Sequence, residues 1–227
     1  DGIATLTLNR PNARNALSKA LMSAMQTEID EIASNNSVRV VIIAANGPAF
    51  CAGHDLREVR AASQSEAYEA LFAQCSRLML SIIRLPQPVI AKVQATATAA
   101  GCQLVATCDL AVAADTAMFA TPGVNIGLFC STPMVAVSRN VGRKKMMEML
   151  LTGDMIDAAA AETAGLINKT CPAADLDKLI DQLCATICSK SPLVLKIGKE
   201  AFYRQLEMPI EEAYAYTSEI MVTNMML

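Results

Sequence analysis

The chain has 227 residues, 53% of them hydrophobic and 18% charged, with a formal net charge of −3. That composition excludes a disordered or collagen-like chain and carries no basic footprint for nucleic acid. Aromatics are 4% and tryptophan is absent, so there is no set of platforms on which bases could stack.

The predicted elements follow in chain order. Ile3–Leu8 places Ala4, Leu6 and Leu8 on one side and reads as a strand, stopped by Arg10, Pro11 and Asn12. Ser18 is placed to cap a helix running to about Asn35, with Leu21, Met22, Met25, Ile29 and Ile32 at helical spacing. Residues 38–44, apolar but for Arg39, have the pattern of a strand buried on both faces. Asn46, Gly47 and Pro48 make a turn, and residues 50–56 read as a short loop containing Gly53. A helix is predicted over Ser65–Arg84, a second buried strand over Val89–Val93, a short helix over 99–107 and a third strand over 110–113. Residues 120–127 read as neither helix nor strand. After about Met134 the strand signals nearly vanish, and helices are predicted over 133–141, 143–151, 157–164, 175–189, 192–206 and 209–225. The organisation is an α/β core over residues 1–133 and a helical region over 134–227, both parts of one fold.

Eight cysteines (Cys51, Cys75, Cys102, Cys108, Cys130, Cys171, Cys184 and Cys188) lie in apolar stretches, with no pair spaced as C-x-x-C. The chain's one histidine cannot complete a Cys/His zinc set at ordinary spacing, so no metal site is predicted. Such thiols read as reduced, buried hydrophobes of an intracellular, reducing compartment. No apolar run is long enough to span a bilayer, and no signal or transit peptide is visible.

Three segments carry candidate chemistry. Residues 50–56 follow a buried strand and so lie where open α/β sheets place ligands, with Gly53 allowing a close backbone approach. Residues 99–104 follow the strand Val89–Val93 and open a helix with small residues. The first N–H groups of such a helix lack intrahelical partners and favour developing negative charge, although a small-residue helix start also serves tight packing. Residues 120–127 form the third segment. Neither G-x-x-x-x-G-K-S/T nor G-x-G-x-x-G occurs, and no serine sits in G-x-S-x-G.

Taken together, the segments resemble one family. Its markers are Leu8-Asn9-Arg10-Pro11 with Asn15-Ala16-Leu17, then Gly47-Pro48-Ala49-Phe50-Cys51-Ala52-Gly53-His54-Asp55-Leu56. They continue through Pro88-Val89-Ile90-Ala91, Ala100-Gly101-Cys102-Gln103-Leu104, Cys108-Asp109-Leu110-Ala111, Leu151-Thr152-Gly153 and Ala164-Gly165-Leu166. In that order and over nearly the whole length, the sequence resembles the crotonase (enoyl-CoA hydratase/isomerase) superfamily. The resemblance implies a spiral of ββα units with a C-terminal helical region, assembled as a homotrimer or a dimer of trimers. It implies an acyl-CoA thioester as substrate and no separate cofactor. It places the compartment in the cytoplasm of a bacterium or the mitochondrial matrix of a eukaryote. It also implies an oxyanion hole made by two backbone N–H groups, which by motif fall on His54 and Ala100, with Ala52, Gly53, Asp55, Leu56, Gly101 and Asn125 around the substrate.

The departures from the family pattern are specific. The two glutamates that position and activate water in hydratases correspond to Gln103 and Gly123. Glutamine exchanges no proton near neutral pH and glycine has no side chain. Several residues carry two readings. The His54 imidazole is a catalytic group or an onlooker to its own main chain; Asp55 is a base or fixes its loop. Cys102 and Cys130 are nucleophiles or buried structure, Asn125 orients a ligand or stabilises a turn, and Arg143-Lys144-Lys145 meets phosphates or starts a solvated helix. Three functions follow: an acyl-CoA enzyme with a rebuilt acid–base set (an isomerase, decarboxylase or slow hydratase), an acyl-CoA-binding protein without turnover, or an interaction protein built on the trimer.

Overall fold

The structure is a computed structural model that describes residues 2–61 and 64–227. It begins with β1 (Ile3–Leu8), α1 (Lys19–Ser34), β2 (Val40–Ala45), β3 (Ala49–Cys51), α2 (Leu56–Ala61) and α3 (Ser65–Arg84). It continues with β4 (Val89–Val93), β5 (Thr96–Thr98), α4 (Ala100–Thr107), β6 (Leu110–Ala114) and β7 (Met118–Ala120). Then come α5 (Pro133–Val137), α6 (Arg143–Thr152), β8 (Ile156–Asp157), α7 (Ala158–Thr163), β9 (Lys169–Cys171), α8 (Leu176–Cys188), α9 (Pro192–Gln205) and α10 (Ile210–Met225).

The strands build two sheets. One, in the order β1-β2-β4-β6-β9, is parallel throughout. The other, in the order β3-β5-β7-β8, is parallel except for the antiparallel pair β7–β8. Three strands of the first sheet run on, after a short bend, into short strands of the second: β2 into β3, β4 into β5, β6 into β7. A helix then carries the chain back, which is the ββα spiral.

Local sequence explains the main elements. The Ser18 hydroxyl accepts the Leu21 N–H at 3.1 Å and caps α1, whose Met22, Met25, Ile29 and Ile32 are buried. Strand β2 is buried on both faces. Val41 and Ile43 join the core formed with α1 and α3, while Val40, Ile42 and Ala44 pack with Leu176, Ile180 and Cys184 of α8. Its unbroken apolar run reflects those two covered faces.

The structure corrects four boundaries. Residues 50–56 are not simply a loop: β3 ends at Cys51 and α2 begins at Leu56, leaving only 52–55 between them. The helix predicted over 133–141 ends at Val137 and continues as turns. The expected helix at 99–107 starts at Ala100. Strands do occur beyond Met134, where β8 pairs with β7 and β9 with β6. At two and three residues these edge strands are too short to show a periodicity.

A buried polar cluster ties the C-terminal helices to the core. Lys199 of α9 donates to the carbonyls of Ile82 (3.2 Å) and Gln87 (3.0 Å) and to Asp109 Oδ2 (2.6 Å), which uses all three ammonium protons. Asp109 also accepts the Val89 N–H at 2.7 Å and the Tyr203 hydroxyl at 2.9 Å. Burial pulls the Lys199 pKa down, opposed chiefly by the Asp109 charge. The pair thus joins α9 to the beginnings of β4 and β6. Replacing Lys199 by Met leaves the Asp109 carboxylate buried without its cation. The expected loss is about 3–5 kcal/mol of unfolding free energy in a urea titration. A loss well under about 1 kcal/mol, the range of exposed pairs, would contradict it.

Candidate active site

Loop 52–55 and the start of α4 come together through residues without bulk. Gly53 has φ +97°, and a β-carbon there would lie 2.9 Å from Ala99 Cβ and 3.4 Å from the Ala100 nitrogen. A β-carbon on Gly101 would lie 2.0 Å from the Cys51 carbonyl oxygen, so the first turn of α4 rests directly on β3. Ala99 takes φ 51° and ψ −120°, a backbone conformation alanine rarely adopts, at a cost of order 1–3 kcal/mol. The surrounding bonds hold it there: its N–H donates to the Ala120 carbonyl at 2.9 Å and its carbonyl accepts the Gln103 N–H at 3.0 Å.

Loop 52–55 is held like an added strand. The Ala52 N–H donates to the Arg14 carbonyl (3.0 Å), the Leu17 N–H to the Gly53 carbonyl (2.8 Å) and the Asp55 N–H to the Leu17 carbonyl (3.2 Å). His54 sits between the last two, in a parallel bridge with Leu17. Its own N–H therefore faces away from Leu17. Among the described residues, neither the His54 N–H nor the Ala100 N–H has a protein acceptor. Two unused donors on adjoining segments, one opening a helix, can hold a carbonyl oxygen that gains negative charge.

The side chains around them are polar and unsatisfied. Gln103 is 5% exposed, and its Oε1 has no partner among the described residues. The fully buried Thr121 hydroxyl is likewise unpartnered. Both flank Ala99, since Gln103 lies one turn along α4 and Thr121 follows the carbonyl that takes the Ala99 N–H. Buried polar groups are nearly always paired, so these are two exceptions beside Ala99. Thr121 was not singled out from sequence. A lone threonine between a short strand and Pro122 carries no local signal.

The remaining predicted residues divide. Asp55 is bound by the Arg10 guanidinium at 2.9 Å, which holds its carboxyl below the usual range and suits a fixed anion rather than a base. Burial pushes the thiols of Cys51 and Cys102 up to about 12 and raises that of Cys130, so none is an activated nucleophile. The Cys130 sulfur instead accepts the Gly123 N–H at 3.3 Å. Leu56, the first residue of α2, is exposed. Asn125 is exposed with its amide against Gly153 at the end of α6. Gly123 does not have positive φ, but a β-carbon there would lie 2.5 Å from the Leu128 carbonyl oxygen and 2.9 Å from Cys130 Sγ. The obstacle to a side chain at 123 is therefore contact with the returning segment 128–130, not backbone strain. A groove of about 510 Å³ between α1 and α3 involves no residue of these loops.

Residues 1–226 match the enoyl-CoA hydratase/isomerase family model. The chain belongs to this family. It is 46% identical to enoyl-CoA hydratase domain-containing protein 3, mitochondrial, of Homo sapiens over 227 residues, covering all of this chain and 75% of that one. The crystal structure of that human protein superposes with a TM-score of 0.97, covering all of this chain and 90% of the other. The crystal structure of a Mycobacterium smegmatis enoyl-CoA hydratase superposes with a TM-score of 0.98 at 53% identity, over 99% of this chain and 88% of the other. Among the described residues no helix is long and apolar enough to cross a membrane, and no cluster of His, Cys, Asp and Glu could hold a metal ion.

His54 also has a measurable titration. Its ring meets Phe72 edge-on at 5.7 Å, and both ring nitrogens are buried without a partner of hydrogen-bonding geometry. Burial pulls its pKa below the ordinary 6.5, opposed by the Leu17 backbone and the Glu58 charge. The unfolded chain then binds more protons than the folded one just below that value, so stability falls as pH drops through it. Unfolding titrations at about pH 7.5 and about pH 5.5 should show a loss that shrinks in His54→Gln. An equal loss in both proteins assigns it to another group.

Proposed function

We propose that the protein binds acyl-CoA thioesters with the carbonyl oxygen between the N–H groups of His54 and Ala100 and stabilises an enolate there without adding water. The observation that carries this reading is the pair of unused donors brought side by side by Gly53 and Ala99. Hydration needs one group to activate water and another to deliver a proton to the α-carbon. Gln103 has no proton to exchange, and segment 128–130 fills the place of a side chain at 123.

The enolate can arise without either glutamate. Loss of carbon dioxide from a malonyl-type thioester breaks the carbon–carbon bond and leaves its electron pair as the enolate, with no base required. Proton removal, as in double-bond migration, requires one. The neutral His54 imidazole is then the first candidate, being the titratable side chain on the donor-bearing residue itself. Binding without turnover is the second reading, favoured by the absence of a carboxylate at 103 and 123.

The test is a panel of saturated, enoyl and malonyl-type CoA thioesters, with binding and turnover both measured. Position 100 is the first residue of α4, where the helix itself tolerates proline, so Ala100→Pro removes one donor, and its unfolding midpoint is compared with the parent's first because the position is fully buried. It should weaken thioester turnover on the order of 10²–10³-fold, or binding where there is no turnover. Ala100→Pro behaving as the parent sinks the assignment. Crotonyl-CoA hydration should be slow or absent in the parent and remain so in Gln103→Glu. Gly123→Glu should destabilise the fold, by about 1–3 kcal/mol or more, because a backbone carbonyl cannot yield to it. Fast hydration by the parent would count against the reading.

Assembly as a homotrimer, or a dimer of trimers, is part of the same proposal. Its support is the apolar surface of Met147 and Leu151 on α6, Ile126, Leu128 and Phe129 before α5, and Met221, Val222 and Met225 on α10. Light scattering at micromolar concentration should give three chains or six; a stable monomer contradicts it. The eight free cysteines support a reducing compartment, the matrix if the source is a eukaryote.

A further inference from the structure

Loop 52–55 belongs to no sheet, so the direction of the His54 N–H depends on what holds its neighbours. Those neighbours are residues 14–17, which are themselves irregular: Arg14 and Asn15 have φ of 50° and 53°. The buried Asn15 side chain braces this segment. Its Oδ1 accepts the Arg10 N–H at 2.8 Å, and its Nδ2 donates to the carbonyls of Asn46 and Ala49, both at 2.8 Å.

Arg10 completes the brace. One arm of its guanidinium donates to the Ala16 carbonyl at 2.5 Å and the other to Asp55 Oδ2 at 2.9 Å. Ala16 precedes Leu17 and Asp55 follows His54, so one rigid planar fork spans the bridge on which the donor sits. The other carboxylate oxygen accepts the Arg57 N–H at 3.1 Å and fixes the start of α2. On the far side the Thr98 hydroxyl donates to the Ala52 carbonyl at 3.2 Å. Arg10 is 34% exposed at its side chain and Asp55 13%. Water reaches the Arg10 end of the pair and screens it. Its geometry, two targets on the two strands of one bridge, sets an orientation.

We propose that Arg10 is a positioning residue for the oxyanion site: through Ala16 and Asp55 it sets the direction in which loop 52–55 presents the His54 N–H. The inference rests on the reading of His54 and Ala100 as the carbonyl-holding donors. It adds a residue 44 positions from His54 that touches no substrate and acts only through the loop.

The experiment reads carbonyl polarisation directly. Butyryl-CoA labelled with carbon-13 at the thioester carbonyl is bound to the parent, Arg10→Met, Arg10→Lys, Asp55→Asn and Ala100→Pro, and its C=O stretch is followed by difference infrared spectroscopy. The parent should move the band to lower frequency. Arg10→Met and Asp55→Asn should move it back toward the unbound position, with thermal midpoints within about 4 °C of the parent. Arg10→Lys should be intermediate, because a point charge reaches one of the two targets at a time. Affinity for unacylated CoA should be unchanged in Arg10→Met and Arg10→Lys, a split that general loosening of the fold would not produce. A full shift retained in both Arg10→Met and Asp55→Asn overturns the positioning role alone. A parent without any shift, indistinguishable from Ala100→Pro, overturns the donor assignment and the positioning role together.

Discussion

The contact of Gly53 with Ala99 and Ala100 is the constraint on which the site depends. Two chain segments approach so closely that a β-carbon on one would overlap the other, and Gly101 repeats the condition against Cys51. Every residue of α4 is buried as a result. The composition of the segment 99–102 follows: only small side chains fit between α4 and β3. The strained backbone of Ala99 is held by bonds to Ala120 and Gln103, so the rest of the core carries the cost of the arrangement. What it yields is two main-chain donors that no described part of the protein uses.

The chemistry available at such a place is narrow. Fixed dipoles stabilise charge that develops on a carbonyl oxygen, and they do so best where water is excluded. They cannot move protons. In this chain position 103 holds a glutamine whose Oε1 is unpaired among the described residues, and a side chain at 123 would meet the Leu128 carbonyl and Cys130. Main-chain donors are left open here among the described residues, while no carboxylate side chain stands at 103 or 123. The Thr121 hydroxyl is buried without a partner among the described residues.

How legible all this was depended on the distance over which each interaction acts. The cap on α1, the extent of α3 and the doubly buried run of β2 follow from neighbouring residues and were read correctly. Strands β5, β7, β8 and β9 have two or three residues each and exist because longer partners lie beside them, so no local pattern announces them. Glycine and alanine at 53 and 99–101 mark the close approach of two segments, whereas the choice of His54 and Ala100 as donors came from the family resemblance. The partners that organise the site were not legible. Arg10 and Asp55 are 45 positions apart and Lys199 and Asp109 are 90 apart, and each alone looks like an ordinary charge. At Gly123 the resemblance implies an absent carboxylate, but the packing of segment 128–130 against this position is a tertiary fact.

The most direct measurement is a crystal structure of the protein with bound butyryl-CoA. The account predicts the thioester oxygen about 2.7–3.1 Å from both the His54 and Ala100 nitrogens, with no ordered water held between the α- and β-carbons and residues 103 and 123. A carbonyl bound away from those two nitrogens, with the acyl chain in place, would contradict it.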